Sequence, residues 1–221
     1  MTDAVIVRPA SDIPAEDVVV FVMKGAVGAH VGMLYRADAA GERRYLHLAW
    51  HHRLQNEPTL SSKSWWIVPC LDDFELADLR TSARLIARRH QDGLVPYSFR
   101  PAAAHFDRDG TLRLNDSIGL TCATFVLLVF AHAGIHLLDS ATWDTDRPLE
   151  RRQEDDAAQR ELVAYLRKNP ESRSQADLVE QEIGCMRIRA EEVAAASGMS
   201  GLPVPFARVE PQGRMVLTAL G

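Results

Sequence analysis

Residues 116–134 read DSIGLTCATFVLLVFAHAG, and this stretch decides how the rest of the chain is assembled. It opens on cap-type residues, turns almost wholly apolar, and stops at Gly134. Ser and Thr side chains satisfy the free amides of a helix start, and glycine accommodates the left-handed residue that ends one. The expectation is a helix beginning at about Thr121. Being apolar around its whole circumference, it belongs inside the protein. Cys122 then sits in its first turn, where the helix dipole and free amides favour a thiolate. The backbone N–H of Cys122 is also placed to donate to a developing oxyanion.

A thiol in that position does chemistry only with a base beside it and a third polar group to orient the base. The strands upstream supply two candidates. Residues 18–23 are dominated by β-branched side chains, which favour strands. Residues 29–36 alternate, with His30, Gly32 and Leu34 on one side and Val31, Met33 and Tyr35 on the other. Residues 44–50 alternate again, with His47 between Tyr45 and Ala49 on one face, and the small-polar stretch 38–43 contains Gly41. Two strands around a turn make a hairpin. A turn centred near Ala40 puts residue 30 opposite about residue 50 and His47 near Gly32, diagonal to His30. Diagonal neighbours lie roughly 7–8 Å apart, within reach of two imidazoles. His30, flanked by Gly28 and Gly32, is the candidate base, and His47 the group that fixes its tautomer. Taken singly, each residue has a plainer reading: a free cysteine in an apolar helix is usually a small hydrophobe, and a strand histidine usually bonds to backbone.

The three motifs together, HVGMLY at His30, YLHLA at His47 and TCATFV at Cys122, resemble the circularly permuted papain-like thiol hydrolases of the NlpC-type superfamily. The permuted group includes lecithin retinol acyltransferase-like proteins, in which the cysteine helix follows the histidine strands, as here. The resemblance spans roughly residues 30–130. It implies an α+β fold with an antiparallel sheet packed on the cysteine helix, Cys122 as nucleophile, His30 as base and His47 as third polar residue. Tyr97, in VPYSF, resembles an aromatic position that lines the cleft in relatives. Trp50 and His51, at the end of the second histidine strand, join Tyr97 as expected substrate contacts. The implied function is a cysteine-dependent hydrolase of amidase or peptidase type working through a thioester acyl-enzyme. A lipid or thioester acyltransferase or esterase on the same site, and a non-catalytic binding protein that retains the fold, stay open. So does the choice among peptide, amide and acyl-lipid substrates.

Beyond these motifs, 64–68 reads as a strand closed by Pro69, and Asp72 and Asp73 cap a helix over 74–90. Leu79, Ala83, Ile86 and His90 form its inner stripe, and Arg80, Arg84 and Arg88 a solvated one. Asp109-Gly110 turns a short hairpin within 106–114. Downstream, 142–156 reads as charged and turn-like, 155–167 and 174–195 as helices, and 214–220 as a β-like tail. The organisation expected is a hydrolase domain over 1–138 and a mainly helical extension over 139–221 packed on it.

Composition bounds the alternatives. The 221 residues carry 25 Lys plus Arg against 30 Asp plus Glu, a formal charge of −5, which offers no excess of cations to neutralise phosphates. A nucleic-acid partner is not expected. The three cysteines, Cys70, Cys122 and Cys185, form no C-x-x-C pair, which argues against a disulfide framework and a cysteine zinc module. His47, His51 and His52 cluster, yet no carboxylate sits at ligand spacing, so neither metal nor other cofactor is expected. The acidic first residues lack a basic and apolar leader, and the longest apolar run, 125–131, is far short of the roughly 20 residues a bilayer helix needs. Those features point to a cytoplasmic protein without stable membrane insertion; homo-oligomer formation is left open.

Overall fold

The computed structural model describes residues 5–9, 16–25, 28–38, 40–59, 63–100, 104–114 and 118–221, with the side chains of 144–146 excepted. The acidic residues Asp3 and Asp12, and the start of the key stretch at Asp116 and Ser117, lie outside them. At its centre is an antiparallel sheet of six strands: β1 (Arg8–Pro9), β2 (Val18–Lys24), β3 (Ala29–Arg36), β4 (Arg43–Trp50), β5 (Arg53–Glu57) and β6 (Ser64–Ile67), in the order β1-β6-β2-β3-β4-β5. Residues Val18 to Val22 are all completely buried, because both faces of the sheet are covered. Val20, Val31, Met33, Leu46 and Leu48 belong to the main core. Val19, Phe21, Leu34, Tyr45 and Trp66 form a second cluster on the opposite face.

The hairpin of β3 and β4 pairs Met33 with Leu46 and Tyr35 with Arg44. Extended by one residue, that register sets Gly32 against His47, as the alternation predicts. The glycine is required there: a Cβ would lie 2.5 Å from the Phe21 ring and 2.6 Å from the His47 Cβ. Beyond β4 the structure adds a strand the sequence reading lacks. His52, at φ 52°, turns the chain into β5, which pairs Gln55 with His47 across a bulge near Trp50. The sequence of β5, RLQNE, is too polar to alternate visibly, as suits a sheet edge.

Helix α1 (Asp73–Arg89) starts with a capping box in which Asp72 accepts from the N–H groups of Phe74 and Glu75 while Glu75 reaches back. Leu79, Ala83 and Ile86 face the core, as their spacing requires. The short strands β7 (His105–Phe106) and β8 (Leu112–Arg113) pair around the Asp109-Gly110 turn. Helix α2 (Cys122–His132) also has a capping box, between Thr121 and Thr124, and ends before Gly134 at φ 79°. It packs against β3, β4 and α1, so the apolar run is the central helix the sequence implies.

The last third departs from expectation in three places. Residues 142–156 are mostly helical, in α3 (Ala141–Asp146) and the first half of α4 (Leu149–Lys168). Their charges conceal the pattern because several are interior: Arg147 bonds to Asp155 at 2.7 Å and to Glu192 at 2.8 Å, and Arg189 to Asp155 at 2.7 Å. Residues 174–195 form two helices, α5 (Arg173–Glu180) and α6 (Ala190–Ser197), separated where Gly184 takes φ 90° and Glu182 turns inward to accept from Ser98 and Phe99. Residues 214–220 are the end of helix α7 (Phe206–Leu220), not a strand; Phe206, Val209, Gly213 and Val216 face inward at helical spacing, with Pro211 accommodated inside. Helix α6 is buried along its length and packs on β2 and β3, in the same core as α2. Among the described residues no helix is long and apolar enough to cross a membrane.

Candidate active site

The first turn of α2 abuts the start of β3 and the end of β4. Thr121 closes the turn through Thr124, and the strand-like bridge between Tyr97 and Leu120 pins the approach to it. Cys122 thereby lines a cavity of about 90 Å³ together with His30, Trp50, Tyr97, Thr121 and Arg187; Leu48, Leu162 and Ile188 complete the apolar wall. Three segments expected to meet from the sequence, at residues 30, 97 and 122, do meet.

His30 and His47 are hydrogen-bonded, Nε2 of the first to Nδ1 of the second, at 2.8 Å, with the rings nearly perpendicular. The diagonal placement on adjacent strands produces that geometry. With Nε2 engaged by His47, Nδ1 is the ring nitrogen of His30 left for the cavity. Nε2 of His47 is buried without a polar partner, beside the Phe21 ring.

Burial sets the protonation states. It lowers His30 to about 3, helped by the neighbouring His47, and lowers His47 to about 4. Both rings are neutral at pH 7. Burial also raises the Cys122 thiol above its ordinary range, against the opposing pull of the Val31 N–H, the Arg187 charge and the Ala123 N–H. The lowered thiol expected from the helix start is therefore reversed, because desolvation outweighs the dipole. Among the described residues no hydrogen bond joins the thiol to His30. The resting pair is a neutral thiol and a neutral imidazole facing one cavity.

Trp50 and Tyr97 pack with ring centroids 4.9 Å apart and planes tilted by 34°, forming a wall of that cavity. Burial, followed by the proximity of Cys122, raises the Tyr97 hydroxyl, so it stays protonated. His51 is not a cavity residue. It is buried, stacks on His52, and its Nδ1 accepts from the Tyr97 N–H at 3.2 Å, so it positions Tyr97 from behind. The substrate contact expected at His51 is thus corrected: the residue sits in a buried turn, because β5 folds back along β4. That use of the ring also leaves the three neighbouring histidines without a common focus; among the described residues no group of three or more His, Cys, Asp or Glu could hold a metal.

Arg187 and Leu162 come from the last third of the chain and carry no motif. Nothing local in the sequence marks them; only the packing of α4 against Trp50 and Tyr97, and of α6 against the sheet, brings them to Cys122. A larger hollow, about 490 Å³, lies alongside α2, shares Ile188 with the cysteine cavity, and is walled mainly by Leu120, Leu127, Leu128, Ile135 and Met186. Of the other cysteines, Cys70 is exposed and Cys185 is half-buried, its thiol pushed up to about 11 by burial. Comparison with protein-family models, with curated proteins and with solved structures finds no match.

Proposed function

We propose that this chain is a cysteine-dependent hydrolase of amidase or peptidase type, built as a permuted papain-like thiol hydrolase, with Cys122 as nucleophile, His30 as base and His47 as the residue that orients it. The observation carrying this reading is the hydrogen-bonded His30–His47 pair, opening onto the cavity that Cys122 enters from a helix start.

The protonation states shape the mechanism. A neutral thiol attacks the substrate carbonyl carbon as His30 Nδ1 takes its proton, so transfer accompanies attack. His30 becomes cationic and its Nε2–H donates to His47 Nδ1, which steadies the charge. The carbonyl oxygen gathers negative charge facing the backbone N–H of Cys122. Collapse expels the amine, which receives the proton from His30, and leaves a thioester on Cys122. Water, deprotonated by the now neutral His30, attacks the thioester and frees the acid and the thiol.

The test is alkylation of the native protein with limiting iodoacetamide, read separately at Cys70, Cys122 and Cys185 by mass spectrometry. Cys122 should label fastest at pH 7 and slow at least tenfold in His30→Ala, a smaller factor than the about 10²–10⁴-fold that a positioned base contributes in a full reaction. Labelling of Cys122 no faster than Cys70 and Cys185, or only on unfolding, overturns the proposal and leaves the non-catalytic binding protein, a reading that the raised thiol favours. The apolar hollow beside Ile188 favours a second reading of the same site, an acyl ester hydrolase or transferase. Hydrolysis of p-nitrophenyl esters that accelerates from acetate to decanoate supports it; a flat series removes it.

A further inference from the structure

We propose that Arg187 forms an anion-binding subsite of the cysteine cavity, and that the substrate carries a carboxylate next to the carbonyl presented to Cys122. The inference rests on the hydrolase reading and names a feature of its substrate.

Arg187 differs from the other arginines of its neighbourhood. Arg147, Arg151 and Arg189 are each tied to carboxylates within 4 Å. Arg187 lines the cavity, is half-buried, and among the described residues makes neither hydrogen bond nor ion pair. Its nitrogens are not among the enclosed polar atoms that lack partners, so they are open to a ligand. Glu191 feels its charge without pairing with it; the ion contact of Glu191 is to Arg189, at 3.9 Å. Arg187 lines the same cavity as Cys122 and Tyr97, and its charge is felt at both.

The other polar side chains of the lining, Thr121, Cys122, Tyr97, His30 and Trp50, are neutral at pH 7. The lining thus offers an unpaired guanidinium in a partly desolvated chamber, where a charge-assisted hydrogen bond is strong; Glu191, outside the lining, is a carboxylate whose charge also reaches Cys122. Its planar fork matches a carboxylate through two parallel N–H donors. A chamber of about 90 Å³ admits a small group beside the scissile carbonyl, and a carboxylate carried on the carbon next to the scissile nitrogen fits that size. The substrate class is an amide whose scissile bond adjoins a free carboxylate, as at the last peptide bond of a chain.

Two isosteric alkylating agents test this without a known substrate. Iodoacetate carries the carboxylate and iodoacetamide its neutral counterpart, and exposed Cys70 serves as reference within the same molecule. The iodoacetate-to-iodoacetamide rate ratio at Cys122 should exceed that at Cys70 about tenfold, the factor of one charge-assisted hydrogen bond. The excess should shrink with salt, vanish in Arg187→Gln and persist in part in Arg187→Lys. An equal ratio at the two cysteines of the wild-type protein, a comparison needing no variant, overturns the proposal. So does an excess that survives Arg187→Gln. If Cys122 reacts rapidly with iodoacetamide in a His30-dependent manner yet shows no iodoacetate preference, the subsite alone fails. If it reacts with neither probe, the hydrolase reading fails and takes the subsite with it.

Discussion

Gly32 shows how one missing side chain shapes the site. Its bare Cα lets the Phe21 ring and the His47 Cβ close in, and His47 can then meet His30 at 2.8 Å. Gly32→Ala forces atoms to about 2.5 Å, so the strand must shift. The expected cost is about 1–3 kcal/mol in urea unfolding, the range of overpacked cores, with Cys122 alkylation slowed because His47 is displaced from His30. The two histidines also predict a pH response. Unfolded, each takes up a proton near pH 6.5; folded, they resist until about 3 and about 4. Their stabilising contribution is full above about pH 6.5 and is lost progressively as pH falls through the window down to those values. The slope approaches about 1.4 kcal/mol per pH unit for each ring. Denaturant midpoints from pH 7 to 4 should fall more gently in His30→Gln than in the wild-type protein; parallel curves would contradict the buried neutral pair.

Among the elements, α2 carries the nucleophile and depends on its cap. Thr121 and Thr124 satisfy each other's amides across the first turn, with the Thr121 hydroxyl accepting from the Thr124 N–H at 3.1 Å. Thr121→Ala should lower stability by about 1 kcal/mol, measured by denaturant unfolding, and loosen the turn that presents Cys122. The elements legible in the sequence share this local character. Helix α2 announces itself by caps and an apolar run, α1 by Asp72 and Glu75, and β3 and β4 by alternation, which also placed His30 and His47 on one face. Strand β5 was not legible, since an edge strand of Arg, Gln, Asn and Glu lacks the apolar alternation that marks a half-buried one. Helix α7 was obscured by Pro211 and Gly213, breakers by propensity that packing of Phe206, Val209 and Val216 overrides.

For the molecule as a whole, the buried ion network joining α4 to α6 is the decisive feature. Glu192, completely buried, accepts from the Trp143 Nε1–H, the Arg147 guanidinium and the Arg189 backbone N–H, while Asp155 bridges Arg147 and Arg189. It closes the last third onto the same core as the sheet and holds the segment bearing Arg187 beside α2. Arg147→Met strips one partner from two buried carboxylates. About 3–5 kcal/mol of stability should be lost, seen as a lower thermal midpoint; a change within 0.5 kcal/mol would show the network to be dispensable.

The sequence by itself determined the α+β class, the central cysteine helix and the shared strand face of His30 and His47. Capping and periodicity are settled within a few residues, so they can be read along the chain. Only the tertiary structure decided that Cys122 rests as a raised, neutral thiol, that His51 props Tyr97 instead of facing the cavity, and that Arg187 enters it. Desolvation and charge pairing depend on neighbours that folding supplies from distant positions. Arg147 meets Glu192 and His51 meets Tyr97 only after the layers have packed.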